Sequence, residues 1–172
     1  MVAQVLAGDA SQFRQVVDAW QRTLLRMAYR FTGNWADAEE ITQTTLIRVY
    51  RSLSSFKPGN PFEPWLFRIH LNNCRSYCTR RKWERLLRVP LTDLIETPAA
   101  KAAHDSGIDR QITQAVEMLP WRQRSVFSLI ELEEFSINEA AELLGCAEAT
   151  VRVHLHRAKQ TLKKRLKGLF DE

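Results

Sequence analysis

Apolar residues recur along this chain every three or four positions, the spacing of one buried helix face, rather than in the alternating register of a strand. The fold class that follows is all-α. Phe13, Val16, Val17, Trp20, Leu24, Ala28 and Phe31 form one such stripe, which Gly33 ends. Asp9 and Gln12 stand where a capping pair would open that helix. A second helix is expected over residues 36–53. Its first turn carries Asp37, Glu39 and Glu40, where negative charge suits the helix dipole, and Arg48 and Arg51 lie near its end. A loop rich in proline and glycine, Ser54 to Pro61, precedes a third helix beginning near Phe62. Pro64 is tolerated there because it falls in the first turn, where the missing N–H has no partner to lose.

Periodicity lapses between Leu86 and Ser106, where Pro90, Thr92, Thr97 and Pro98 read as a linker. Beyond it, Ile108, Ile112, Val116 and Leu119 mark a short helix, and Val126, Phe127 and Ile130 a second, with Pro120 suited to its first turn. Ser136 and Glu139 form a capping box that opens a third helix, and Gly145 closes it. The expected architecture is two small helical domains, a three-helix bundle over residues 1–85 and a four-helix unit over 108–172. A flexible linker, 86–107, joins them.

The last two helices carry the sharpest signal. A capped helix of about eight residues, a short turn with glycine and a longer basic helix make the outline of a DNA-binding helix-turn-helix. Ala140 and Ala141 are small enough to let the two helices approach. At 100° per residue, Val151, Leu155, Ala158 and Leu162 form the inward stripe of the last helix. Ala149, Arg152, Val153, His156, Arg157 and Gln160 then face outward, the arginines within reach of guanine edges or phosphates. Ala147 stands where Ser, Thr or Asp would cap that helix, a loss of about 0.5–2 kcal/mol that Glu148 offsets in part.

Charge changes the picture only through its distribution. The chain of 172 residues carries a formal +5. Seven Lys or Arg stand between Arg68 and Arg88 against one acid, Glu84, and seven stand between Thr150 and Gly168 against none. Two separated basic stretches point to a polyanion touched in two places. No apolar run approaches the ~20 residues that cross a bilayer, and no signal pattern opens the chain, so a cytoplasmic location without membrane insertion is expected. Three cysteines without framework spacing fit reduced thiols. His70, Cys74 and Cys78 invite a zinc site, but His70 and Cys78 lie ~12 Å apart along a helix, too far to share one ion. No metal, cofactor or catalytic centre is therefore expected, and no phosphate loop or nucleophile motif is found.

Two stretches resemble the extracytoplasmic-function (group IV) sigma factors, which have only the region 2 and region 4 domains. The first runs from Gly8-Asp9 through Asp37-Ala38-Glu39-Glu40-Ile41-Thr42-Gln43 and Ser55-Phe56 to Phe62-Glu63-Pro64-Trp65-Leu66-Phe67-Arg68-Ile69. The second comprises Leu119-Pro120-Trp121-Arg122-Gln123-Arg124, Ala140-Ala141-Glu142-Leu143-Leu144-Gly145 and Thr150 to Ala158. The resemblance implies binding to core RNA polymerase, at its β′ coiled coil through Glu40, Gln43, Ile47 and Arg51, and also at its β flap. It implies that Phe56, Phe62, Arg68, Asn72, Arg75, Arg80 and Arg81 meet the −10 element. The −35 element would fall to Arg152, Val153, His156 and Arg157, with Lys163 and Lys164 on phosphates. Promoter DNA and an anti-sigma factor are the further partners implied. Thr44 stands where the family usually has an acid, and Val153 where it usually has a small polar residue; Val153 suits a thymine methyl. A plain helix-turn-helix regulator with a dimerising or sensing bundle would share the C-terminal half. The Phe56/Trp65 loop and the basic third helix favour the sigma reading.

Overall fold

The computed structural model describes residues 10–57, 59–87 and 113–170. The capping pair at Asp9, most of the linker, Ile108 and Ile112 lie outside them. Helix α1 (Ala10–Thr32) buries Val16, Leu24, Ala28 and Phe31 as the periodicity requires, and also Met27, which widens the apolar stripe. Gly33 stops α1 in the left-handed region, φ +65°, with its N–H bonded to the Tyr29 carbonyl at 2.7 Å. Helix α2 (Trp35–Ser52) opens on Asn34, whose side chain accepts from the Asp37 N–H. It passes into a 3₁₀ turn, Leu53–Ser55, before the Pro/Gly loop. Helix α3 (Phe62–Leu87) follows immediately after Pro61.

A polar network joins α2 to α3. Thr45 Oγ1 lies 3.0 Å from His70 Nδ1 and accepts from Asn73 Nδ2 at 2.9 Å, and Arg48 in turn donates to Asn73 Oδ1. His70 is fully buried, and burial lowers its pKa to about 3 despite an opposing backbone hydrogen bond at Leu24. Cys74 Sγ sits 3.7 Å from His70 Nε2, while Cys78 Sγ lies 3.6 Å from the Phe31 carbonyl. These three side chains pack against the interior rather than converging. Among the described residues no three His, Cys, Asp or Glu side chains gather as metal ligands.

In the C-terminal part, α4 is helical over residues 113–117, and α5 (Trp121–Phe127) starts immediately after Pro120. Thus Pro120 precedes the first turn instead of lying in it. A π-helical turn, Ser128–Leu132, extends α5 and adds Leu129 to the core. Both bonds of the Ser136–Glu139 capping box open α6 (Ile137–Leu144), and Gly145 at φ +61° ends it. Helix α7 (Glu148–Phe170) buries Val151, Ala158 and Leu162, with Leu155 half-buried. Ala140 and Ala141 are buried where α6 meets α7.

The two halves do not stand apart. Met27, Phe31, Phe67 and Leu71 join Val126, Leu129, Phe135 and Ala140 in one hydrophobic cluster. Phe67 meets Phe135 edge-on at 5.0 Å, and Phe31 meets Trp121 at 4.6 Å. Arg124 donates to the Phe31 carbonyl at 2.7 Å and to the Leu119 carbonyl at 3.0 Å. Arg30 pairs with Glu133 at 2.6 Å. A Cβ on Gly33 would stand 2.2 Å from the Glu117 carboxylate, so the bare glycine also permits this close approach. Periodicity reveals which face of α1 is apolar; it does not reveal that a segment a hundred residues away covers it.

Candidate nucleic-acid interface

The outward face of α7 is as computed from spacing. Arg152, Val153, His156 and Arg157 are exposed, as are Lys163 and Lys164 further along. Arg152 pairs with Glu148 at 2.7 Å, but both side chains are about half exposed, and such pairs contribute only ~0.3–0.5 kcal/mol. A phosphate or base edge can therefore displace Glu148 at little cost. The carbonyl of Ala147 accepts from the N–H groups of Thr150 and Val151, so the backbone alone begins the helix. Val153, 47% exposed, gives this face an apolar spot of methyl size.

Helix α3 presents a second basic face, on which Arg68, Asn72, Arg75 and Arg80 are exposed. Its arginines differ in how firmly they are held. Arg80 lies 3.5 Å from Glu40 and 3.6 Å from Glu84, with all three groups well exposed, so these contacts are weak. Arg81 makes two contacts to Asp37, at 3.2 and 3.3 Å, and Asp37 is largely buried. Tyr77 packs beside that pair, and burial, then its hydrogen bond to Asp37, pushes its pKa up to about 12. The structure thus uses Arg81 to tie α3 to α2, leaving Arg75 and Arg80 as the readier phosphate contacts. Arg68 donates to the Glu142 carbonyl of α6 at 2.9 Å.

In the loop, Phe56 is only 6% exposed and packs against Phe62 and Trp65 at 5.7 and 5.1 Å. Phe56 therefore supports the loop from inside, and Lys57, Asn60 and Pro61 are what it shows to solvent. Beside Phe62 a cleft of about 560 Å³ opens between the two halves, lined by Trp20, Phe62, Glu63, Glu133, Glu134 and Glu139. Burial first, then the neighbouring Glu139 and Glu133 charges, raises the Glu63 pKa. The carboxylates of Glu63, Glu133, Glu134 and Glu139 give this cleft a negative lining, which repels phosphate.

On α2, Glu40, Gln43, Ile47 and Arg51 share the solvent side. The sequence reading missed Tyr50, 52% exposed like Ile47 and stacked edge-on with Phe13 at 5.1 Å. Its position seven residues after Gln43 was the available signal. Thr44 is half-buried in a shallow groove with Glu40, Arg48, Asn73 and Tyr77.

Comparison with known proteins supplies the decisive observation. The sigma-70 region 2 family matches residues 16–84, and the sigma-70 region 4 family matches residues 109–162. The RNA polymerase sigma-E factor of Streptomyces coelicolor is 30% identical over 159 residues, covering 92% of this chain and 88% of that protein. The chain belongs to the extracytoplasmic-function sigma factors of the sigma-70 family. This sigma factor is also similar to the ECF RNA polymerase sigma factor SigW of Bacillus subtilis, 28% identical across 98% of this chain and 96% of that one. SigE of Mycolicibacterium smegmatis is 37% identical over 80% of this chain, which spans 55% of that longer protein. Among solved structures, CnrH in complex with the cytosolic domain of CnrY matches with a TM-score of 0.76 and 26% identity, over 99% of this chain and 96% of that one. The sigma factor RpoE of Bartonella quintana, solved in complex with the anti-sigma factor NepR, matches with a TM-score of 0.74 and 27% identity, over 95% and 100% of the two chains.

Proposed function

We propose that this sigma factor binds core RNA polymerase through the exposed side of α2, with Glu40, Gln43, Ile47 and Arg51 in contact. The loop after α2 and the outer face of α3 then hold the −10 element, and α7 reads the −35 element. The domain division is residues 1–85 and 108–172, with 86–107 as the connecting segment. The observation that carries the reading is the pair of basic helix faces, α3 and α7, on a chain that matches both sigma regions. The protein contributes recognition and no catalytic centre, so it is an initiation factor rather than an enzyme. No helix among the described residues is long and apolar enough to cross a membrane, which supports action in the cytoplasm.

The closed arrangement is the resting form. Arg68 is occupied by the Glu142 carbonyl, and the acidic cleft adjoins the loop that would hold melted DNA. A phosphate strand meets repulsion there until the C-terminal half moves away. Two DNA readers on one tether then gain from effective concentration. The likeness to RpoE in complex with the anti-sigma factor NepR supports an anti-sigma partner for this chain.

The test is transcription from a panel of promoters by purified core polymerase with and without this chain. Starts that depend on the chain are expected. No start on any promoter, together with no retention of core polymerase on the immobilised chain, would refute the proposal.

A further inference from the structure

At the far end of α3 the chain leaves one of its five tryptophans in water. Trp83 is 60% exposed, and Leu87, one turn further, is 75% exposed. An exposed indole of this size ordinarily marks a contact, because it gives up much apolar burial.

Its position on the helix identifies the contact. Trp83 lies eleven residues after Asn72, about 16 Å along the axis and within about 20° of the same direction. Asn72, Ser76, Thr79 and Trp83 fall within an arc of about 60°, and all four are exposed. Arg75 and Lys82 flank this strip on one side and Arg80 on the other. Two acids flank Arg80, Glu40 at 3.5 Å and Glu84 at 3.6 Å, and both pairs are exposed and weak enough for a phosphate to displace. A polar and aromatic strip between two cationic edges fits a nucleic-acid strand, with phosphates at the edges and base faces at the centre.

From this we infer that Trp83 is a stacking platform for an unpaired DNA base, about five nucleotides along a strand from the one at Asn72, at ~3.4 Å per nucleotide. The inference rests on the proposed DNA contact of α3 and adds to it a residue outside the loop. Melted DNA suits this indole better than duplex does, since entering a closed stack costs unstacking, whereas a separated strand offers free base faces.

The experiment uses the full chain and a fluorescein-labelled oligothymidylate, with binding followed by anisotropy over a range of salt. Trp83→Ala should weaken binding about tenfold without changing the salt slope, and Trp83→Phe should recover most of the loss. Lys82→Ala should instead lower the salt slope by about one. Thermal unfolding of the Trp83→Ala variant should match that of the parent, because the side chain is exposed. Unchanged affinity in Trp83→Ala, with salt-dependent binding retained, overturns the Trp83 assignment and leaves the DNA reading of α3 standing. A drop in melting temperature with unchanged affinity also overturns it, and means that a protein segment covers the indole. Absence of salt-dependent binding in the parent, both alone and bound to core polymerase, overturns both.

Discussion

Arg152 and Gln43 occupy opposite ends of the proposed division of labour, and each is free to be replaced without disturbing a core. Arg152 is more than half exposed and its pair with Glu148 is weak. Replacing it with alanine should cost about 1–3 kcal/mol of −35 recognition, a 5- to 150-fold loss in promoter binding, while retention of core polymerase is unchanged. Gln43→Ala should lower polymerase retention and leave binding of the isolated −35 sequence intact. Gel-shift and pull-down assays on both variants check this, and equal loss of both activities in each variant would mean that the roles are misassigned. Ser136 is a structural counterpart. Its side chain and that of Glu139 satisfy backbone groups reciprocally, so Ser136→Ala should cost about 0.5–2 kcal/mol in denaturant unfolding. Glu139 in this box has its pKa lowered by the Ser136 side chain and backbone bonds, so the capping contribution should fade in strong acid.

At the scale of elements, the seam between α2 and α3 is built around a histidine that stays neutral. The unfolded chain takes up a proton on His70 near pH 6.5, whereas the folded chain resists until about pH 3. Because the folded pKa is depressed for a base, the unfolded state binds more protons as pH falls through that window. Stability should therefore drop by about 1.4 kcal/mol for each unit between those limits. Urea titrations at several pH values measure the slope, and His70→Gln should flatten it. Much at this scale was legible in advance. Gly33, Gly145 and the Ser136–Glu139 box fixed helix ends because their chemistry is local. The inward stripe of α7 followed because Val151, Ala158 and Leu162 are all buried, the first in the shared cluster and the other two against Ala115, Val116 and Leu119. The turn at Ser128–Leu132 was not legible, since a π-helical turn departs from the 3.6-residue period on which the reading depends. The burial of Phe56 was not legible for a related reason: spacing reports an aromatic loop, while packing against Phe62 and Trp65 decides which ring is covered.

For the whole molecule, the contact between halves should respond to pH through Glu133 and, in the same sense, through Glu63. Glu133 is buried beside Arg30, and burial raises its pKa while Arg30 opposes the rise. A carboxyl with a raised pKa in the closed form binds protons better when closed than when open. Closing is thus favoured by acid and weakened as pH rises, an effect that Arg30 normally restrains. Arg30→Ala should expose it: dyes placed on the two halves should separate as pH rises above the ordinary carboxylate range, and adding Glu133→Gln should weaken that dependence. Dyes that stay together throughout would show that the aromatic contacts alone hold the halves. The sequence offered no sign of this closure, because Trp121, Arg124 and Phe135 look like ordinary members of their own unit until Phe31 and Phe67 are seen opposite them.

The shared core also sets a schedule for synthesis. Chain emerging from the ribosome completes α1, α2 and α3 well before Trp121, Val126 and Phe135 exist to cover Phe31 and Phe67. During that interval the newborn half carries a sticky aromatic face, and a transcript broken within the linker codon run would leave it so permanently. Such a fragment is a ready client for chaperones and proteases.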